Sequence, residues 1–281
     1  MRNRVPLIWA ALFFLCANMV SALNAGPNTF KEDQLRFKRV RIAVQDKEEV
    51  LKTLFTQKAL PYPPREIFIR AFKEEKVLEL WARSALDKPF VLLKAFDICS
   101  LSGGLGPKRR QGDLQVPEGF YVIDKFNPAS AFYLSLSIDY PNASDRILGD
   151  PVSPGGEIYI HGSCVTIGCL PLTDDKIKEV YLLALEAKSG GQDKIPVHIF
   201  PARLNQANMS ILKDRLARSD FSIRSWKKEP QGQVEDLMAF WQNLKEGYDL
   251  FEQNKIVPSY SVSQVTGKYL FPQITLGNRT K

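Results

Sequence analysis

The sequence predicts a mainly β, sandwich-like domain with helical additions. Of the 281 residues, 44% are hydrophobic and 25% charged, the balance of an ordinary globular protein. Many short runs of apolar and β-branched residues lie between residues 66 and 200, and turn residues separate them. Helical periodicity is confined to a few segments. The composition excludes a disordered tail, a collagen-like fibre and a disulfide-dense miniprotein.

The strand-like runs follow one another with short connections. The residues Lys73-Glu74-Glu75 form a polar turn between the first two, and Pro141–Gly156 is rich in turn residues. The predicted strands are Glu66–Phe72, Val77–Arg83, Phe90–Ile98, Gly119–Asp124, Ala131–Ile138, Glu157–His161 and Val197–Phe200.

Three segments have a helical pattern. Leu51, Leu54 and Phe55 suit a short helix in a charged region. Thr173 can cap a second helix, whose first turn carries two aspartates that favour that end. The third is an amphipathic helix of about 20 residues, with apolar positions three and four apart that predict packing against the sheet: Val234, Leu237, Trp241, Leu244, Tyr248 and Phe251.

The N-terminus has the pattern of a secretory signal. Arg2 and Arg4 precede the apolar run Leu7–Val20, and Val20-Ser21-Ala22 suits cleavage. We expect an exported, periplasmic or cell-envelope protein, in contact with no membrane once the signal is removed; an uncleaved anchor is the alternative. The predicted organisation is a signal peptide (1–22), a helical lead-in (23–64), a catalytic domain (65–202) and a helical C-terminal extension (203–281).

The charge of the chain argues against nucleic-acid binding. The net charge is +7, or about +5 without the two signal arginines, and no basic stripe is present. The run Lys108-Arg109-Arg110 is interpreted as a solvated loop, or alternatively as a basic rim that attracts carboxylate-rich peptides.

Cysteine and histidine are scarce enough to limit the possible chemistry. Cys16 lies in the signal, so Cys99, Cys164 and Cys169 remain in the mature chain. Because three is odd, at most one intrachain pair forms and at least one thiol stays out of it. His161 and His198 are the only histidines.

The residues for covalent acyl transfer lie within nine positions. His161 ends a predicted strand and Gly168 directly precedes Cys169. A free thiol is mostly protonated at neutral pH, and a neighbouring imidazole can accept its proton. Backbone N–H groups beside a glycine can approach an oxyanion closely.

Three other interpretations fit the same residue types. Cys169 could be a buried structural cysteine. A metal could bind His161, Cys164 and Cys169 with Cys99 or His198, although H-x2-C-x4-C matches no usual zinc signature. A Cys164–Cys169 disulfide would remove the nucleophile.

The segment resembles the active-site motif of YkuD-type L,D-transpeptidases, in which His-Gly is followed by Ser/Thr-x-Gly-Cys. The matching residues are His161-Gly162 and Thr166-Ile167-Gly168-Cys169. Gly112–Tyr121 resembles the family's G-D-x-x-T-P-E-G-x-Y stretch, with Val116 in place of threonine. The similarity is greatest to the YafK-like branch, and it extends from about Ile67 to Phe271 through Ile98-Cys99-Ser100, Leu105–Lys108, Val197–Pro201 and Phe240–Tyr248.

The resemblance implies a role for each site residue. Cys169 is the implied nucleophile and His161 the proton donor and acceptor, while the N–H groups of Gly168 and Cys169 form the oxyanion hole. Gly162, Thr166 and Lys108 are expected to bind substrate. No cofactor and no metal are expected. Many family members carry His at the position of Ile167 and Arg or Asn at that of Pro171, so substrate contacts differ here.

Two further assignments concern the remaining cysteines and histidine. A Cys99–Cys164 disulfide would leave Cys169 as the odd thiol. His198, between two apolar strand residues, is interpreted as structural rather than catalytic.

The expected substrates are peptidoglycan peptide stems. The acyl-enzyme would pass to an amine, which is transpeptidation, or to water, which releases a peptidoglycan-bound lipoprotein; the YafK-like branch includes members of the second kind. A wall-binding module without catalysis is the alternative from another class.

Overall fold

The computed structural model describes residues 29–218 and 237–272. The predicted signal peptide and Val234 lie outside these residues. The central element is one mixed sheet of eight strands in the order β3-β2-β1-β8-β4-β5-β6-β7. The strands are β1 (Glu66–Phe72), β2 (Val77–Arg83), β3 (Val91–Asp97), β4 (Gly119–Asn127), β5 (Ser135–Ile138), β6 (Tyr159–His161), β7 (Leu170–Pro171) and β8 (Ile195–Phe200).

The order of the strands follows from hairpins and two parallel pairings. β1, β2 and β3 form an antiparallel meander, in which Phe72 lies opposite Val77 across the turn. β8 returns to the centre, parallel to β1 and antiparallel to β4. At the other edge, the two-residue strand β7 runs parallel to β6. This edge carries the residues predicted to be catalytic.

Side chains that alternate along the central strands cover both faces of the sheet with apolar groups. In β1, Ile67, Ile69 and Ala71 join one core with α1 (Phe30–Leu35), α2 (Lys38–Gln57) and α4 (Asp174–Ser189). Phe72 on the opposite face joins a second core with α5 (Gln206–Ala217) and α6 (Leu237–Asn254). The short hairpin β9 (Ser261–Val262) and β10 (Tyr269–Leu270) extends this second core through Tyr269.

Helix α4 begins as the sequence predicts. The Thr173 side chain caps it by accepting a hydrogen bond from the Lys176 N–H. Helix α6 also has the predicted apolar face, with Trp241 and Leu244 fully buried. The fold class is confirmed: a curled eight-stranded sheet is central, and the helices are additions to it.

Several details differ from the prediction. The helix predicted as short around Leu51 is in fact the 20-residue α2. The prediction was too short because the buried positions of α2 are too widely spaced to show its full length in the sequence. Strand β5 starts at Ser135 rather than Ala131, since Tyr133 has a left-handed φ of 72° that interrupts an extended chain. The region predicted to be only turns contains α3 (Ala143–Leu148), and β7 was not predicted.

Within the described ranges, no helix is both long and apolar enough to cross a bilayer.

Candidate active site

The last two strands of the sheet bring Cys169 and His161 to one face. Ile160 pairs with Leu170 and His161 with Pro171 in the parallel β6–β7 ladder. Cys169 directly precedes β7, so it lies level with Tyr159. Paired residues of neighbouring strands point to the same face, and successive residues alternate. Cys169 and His161 therefore share a face, opposite the buried Ile160 and Leu170, and are offset by two residues along the strands.

Cys169 is a free thiol that is partly buried. Its Sγ lies 3.7 Å from the carbonyl oxygen of Glu157 and donates a weak hydrogen bond to it. Burial raises the pKa of the thiol above its usual value; the Tyr159 N–H and the Lys108 ammonium act in the opposite direction without reversing the shift. The Cys169 thiol is thus protonated at neutral pH.

The imidazole of His161 is buried and held in one tautomer. Its Nδ1 lies 2.5 Å from the carbonyl oxygen of Gly162. Because a carbonyl only accepts, Nδ1 carries the proton, and Nε2 of the neutral ring has a free lone pair. Burial lowers the pKa of the imidazole, and the bond to Gly162 opposes this only in part. A neutral imidazole with an open Nε2 has the form that a general base needs.

In this structure the thiol hydrogen-bonds to a backbone carbonyl and not to the imidazole. Its acceptor, Glu157, and His161 lie on opposite sides of Tyr159 along the chain. Over residues 29–218 and 237–272, no hydrogen bond joins Sγ to the His161 ring. A proton transfer from Sγ to His161 would therefore require the thiol to leave the Glu157 carbonyl.

The loop that carries Cys169 closes on the hydroxyl of Thr166. Thr166 Oγ1 accepts hydrogen bonds from the N–H groups of Gly168 at 3.1 Å and Cys169 at 2.8 Å. It donates to the Cys169 carbonyl at 2.9 Å. The two N–H groups assigned to the oxyanion hole thus have an internal acceptor, and that assignment requires them to change partner. Substrate binding by Thr166 would likewise require its hydroxyl to change partners, because the hydroxyl already makes these three hydrogen bonds.

A disulfide fixes the middle of the same loop. Cys99 and Cys164 are bonded, with Cα atoms 5.6 Å apart. The Cys99 N–H also donates to the Pro171 carbonyl at 3.1 Å, next to the end of β7. This pairing is incompatible with both the Cys164–Cys169 disulfide and the metal site that used Cys164. In the described part of the chain, no group of three His, Cys, Asp or Glu side chains could hold a metal ion.

Gly162 lies where a side chain would not fit. A Cβ built on it would come within 2.7 Å of Asp174 Oδ1 and 2.9 Å of the Phe132 carbonyl oxygen. Asp174 Oδ1 also accepts a hydrogen bond from the Ser163 N–H at 2.9 Å. Gly162 therefore allows the start of α4 and the loop before β5 to approach His161. Its predicted part in substrate binding stays a prediction.

The segment before β4 packs against the nucleophile loop. Asp113 accepts hydrogen bonds from Lys108 Nζ and from the backbone N–H groups of Arg109, Arg110 and Gln115. The Gln115 carbonyl in turn lies 3.0 Å from the Cβ position of Gly168. The Gly-Asp motif, recognised in the sequence only as a resemblance, thus shapes the surface against which Cys169 sits.

The interpretation of the basic run as a solvated loop is wrong for two of its residues. Lys108 and Arg109 are only 4% and 3% exposed. Lys108 Nζ lies 2.7 Å from Asp113, and Arg109 Nη1 lies 2.8 Å from Asp145, so both charges are paired in the interior. A basic rim formed by these two is excluded for the same reason, and only Arg110 is exposed. Lys108 as a substrate-binding residue stays a prediction.

His198 lies on β8, which β4 and β5 separate from the strand of His161. It is 1% exposed, and its ring lies 4.6 Å from Phe68 and 4.5 Å from Phe120 between ring centroids. Burial and the charge of Arg70 lower the pKa of His198 well below its usual value. These surroundings are those of a neutral packing residue.

One site residue was missed from the sequence. Phe132 covers the His161 ring, with centroids 4.7 Å apart and planes tilted by 33°. It was assigned to a strand, and the sequence has no signal that separates it from other strand aromatics.

A sheet edge that presents a neutral imidazole, followed in the chain by an S/T-x-G-C segment with a free thiol, defines the class of protein. No protein-family model matches the chain. The chain is 37% identical over 206 residues to the protein named "Putative L,D-transpeptidase YafK" of Escherichia coli K12, and the match covers 73% of both chains. The chain therefore belongs to the L,D-transpeptidase family. The protein of the same name from Escherichia coli O157:H7 matches equally.

Solved structures give more distant matches. The helical cell shape determining protein Pgp2 of Campylobacter jejuni is 21% identical, with a TM-score of 0.39 over 71% of this chain and 73% of that one. Bd1075 of Bdellovibrio bacteriovorus is 19% identical, with a TM-score of 0.36 over 73% of this chain and 76% of that one.

Proposed function

We propose that the chain is an exported, cysteine-dependent enzyme that modifies peptidoglycan through a thioester on Cys169. The observation that carries the proposal is the shared sheet face of Cys169 and His161, together with the Nδ1 bond to Gly162. That bond leaves Nε2 as the one ring nitrogen able to take a proton. Family membership supports the substrate class, peptide stems of peptidoglycan.

The first half of the reaction transfers an acyl group to sulfur. The thiol proton of Cys169 passes to His161 Nε2, and the sulfur attacks an amide carbonyl at a diaminopimelate-type centre. The carbonyl oxygen becomes an oxyanion, which the N–H groups of Gly168 and Cys169 stabilise after release from Thr166. His161 then gives its proton to the leaving amine, and the C–N bond breaks to leave a thioester.

The second half decides between two outcomes. An amine that attacks the thioester gives a cross-link, and water gives hydrolysis. In either case His161 takes the proton of the attacking group, the C–S bond breaks, and the leaving Cys169 thiolate regains a proton from His161. The hydrolytic route would release a lipoprotein held on peptidoglycan. Partial exposure of Cys169 is compatible with the entry of either acceptor.

Product analysis tests the proposal. Purified protein is incubated with muropeptides, with and without an attached lipoprotein peptide, and products are identified by mass. We expect conversion by the wild type, none by Cys169→Ala or His161→Asn, and an acyl adduct on Cys169 with a carbapenem. A shortened free peptide identifies hydrolysis, and a joined pair of stems identifies transpeptidation.

Two results would contradict the proposal. Conversion by Cys169→Ala at the wild-type rate would exclude the thioester. The second result combines three findings: the protein converts no muropeptide, forms no adduct, and binds the cell wall equally well with and without Cys169→Ala. That result would identify a binding module instead.

A further inference from the structure

The loop between β4 and β5, residues 128–134, contacts the catalytic imidazole from outside the core. Phe132 is 41% exposed, yet its ring lies against His161, with centroids 4.7 Å apart. A half-exposed aromatic ring has little packing to hold it in place. The position of Phe132 therefore depends on what fixes its loop.

One side chain from the helical lead-in fixes that loop. Arg39 on α2 donates through Nη1 to the carbonyl oxygens of Ser130 and Tyr133, the second at 2.7 Å. These two carbonyls lie on either side of Phe132 in sequence. The Arg39 guanidinium also lies 5.5 Å from the centre of the Tyr133 ring, a cation–π contact. Charge-assisted bonds of this kind are among the stronger hydrogen bonds in proteins.

The loop conformation needs such support. Tyr133 has a φ of 72°, a left-handed conformation that strains a non-glycine residue. Within the loop, the Phe132 N–H donates to Ser130 Oγ at 3.0 Å, which orders the residues around the ring. Both contacts of Arg39 are to this same short segment. The loop therefore keeps its strained turn because α2 holds it.

We propose that Arg39 is a positioning residue, which acts through Phe132 to hold the His161 imidazole in its reactive orientation. The inference rests on the proposed function and extends it to a helix outside the predicted catalytic domain. Gly162 fixes the ring through Nδ1, and Phe132 covers one ring face, so together they fix where Nε2 points. Loss of Arg39 frees the loop, withdraws Phe132 and lets the imidazole turn.

The two histidines of the chain make the inference measurable without any activity. Because the chain has two histidines, its proton NMR spectrum contains imidazole C–H signals from His161 and His198 alone. The ring current of Phe132 changes the chemical shifts of the His161 signals. His198, which lies between Phe68 and Phe120, reports whether the fold is intact.

Arg41 supplies a matched control on the same helix. Its Nη1 also donates to two backbone carbonyls, those of Leu35 and Arg36, at 2.8 and 2.7 Å. These carbonyls are far from the active site in the chain. Arg41→Gln and Arg39→Gln therefore remove comparable bonds, and only the second affects the loop of Phe132.

We expect Arg39→Gln and Phe132→Ala to move the His161 signals in the same direction, with His198 unchanged in both. The double variant should show the shift of Phe132→Ala alone, because Arg39 acts through that ring. Arg41→Gln should give the wild-type spectrum. Wild-type His161 signals in Arg39→Gln would overturn the inference, as would shifts in the double variant equal to the sum of the two single changes.

Kinetics supply a second measurement. On the substrate that the product analysis identifies, Arg39→Gln should lower kcat about tenfold and leave KM unchanged, since misplaced groups slow the chemical step. A raised KM with an unchanged kcat would assign Arg39 to substrate binding and overturn the inference. If the chain converts no substrate, the spectra still decide the inference, so its failure is distinguishable from that of the proposed function.

Discussion

Cys169 and His161 lie on the same face of two parallel strands, yet the thiol bonds to the Glu157 carbonyl rather than to the imidazole. The resting site thus holds a neutral thiol and a neutral imidazole instead of a thiolate–imidazolium pair. In the proposed mechanism the thiol must leave the Glu157 carbonyl before it can give its proton to His161.

The pH dependence of thiol alkylation tests this resting state. Because burial raises the pKa of Cys169, the thiolate fraction grows only at alkaline pH. We expect the rate of alkylation by iodoacetamide to be low at pH 7 and to keep rising through pH 9. A rate that is already at its plateau at pH 7 would instead indicate an ion pair with His161, and His161→Asn would then abolish that plateau.

Removal of the Thr166 hydroxyl should loosen the nucleophile loop. Thr166→Val keeps the shape but leaves the N–H groups of Gly168 and Cys169 without their acceptor, at a cost of about 1–3 kcal/mol. Thr166→Ser keeps the hydroxyl and should remain within 0.5 kcal/mol, roughly the range of neutral changes. Urea unfolding measures both. Equal stability of Thr166→Val and the wild type would show that these bonds contribute nothing.

A methyl group on Gly168 should disturb the same loop from its other side. Gly168 has a φ of 141°, and a Cβ there would come within 3.0 Å of the Gln115 carbonyl. We expect Gly168→Ala to lose about 1–3 kcal/mol of stability and to reduce carbapenem acylation of Cys169. Gly156→Ala is the control, since nothing lies within 4 Å of its Cβ position. Equal stability and acylation in the two variants would contradict the role of Gly168.

The disulfide should contribute to stability through the unfolded state. The bonded cysteines are 65 residues apart, and closing a loop of that size is worth about 4 kcal/mol in the chain-entropy estimate. The double variant Cys99→Ser/Cys164→Ser should therefore unfold at a lower temperature in calorimetry and at a lower urea concentration in a urea titration. The wild type under dithiothreitol should match it. An unchanged midpoint in both samples would show that the bond adds no stability.

Local pattern predicts the first two strands and the capped helix well. β1 and β2 have the predicted bounds because both are largely apolar runs and a polar turn separates them. Thr173 caps α4 because its hydroxyl needs only the next turn of the chain. In each case the information lies within a few residues.

Tertiary partners explain what local pattern cannot predict. Lys108 and Arg109 are typical surface residues by type, and they are buried because Asp113 and Asp145 neutralise them. Strand β7 has two residues and contains a proline, so it exists only as the partner of β6. The loop of Phe132 leaves the extended conformation where Arg39, more than 90 residues earlier, binds it.

The sequence predicts which two residues form the candidate catalytic pair, but not their geometry. The S/T-x-G-C segment identifies Cys169, and the strand before it identifies His161. The direction of the thiol depends on the Glu157 carbonyl, and the engagement of Gly168 and Cys169 depends on the Thr166 hydroxyl. Such rotamer and hydrogen-bond choices have no sequence pattern.

The three cysteines of the described residues, Cys99, Cys164 and Cys169, can pair in three ways, so their oxidative folding depends on the order of events. Only the Cys99–Cys164 pairing leaves Cys169 free. In an unfolded chain Cys164 meets Cys169 far more often than it meets Cys99, because short loops close at lower entropic cost. Correct maturation therefore requires the sheet to assemble before the thiols are oxidised, or else thiol–disulfide exchange that rescues mispaired chains.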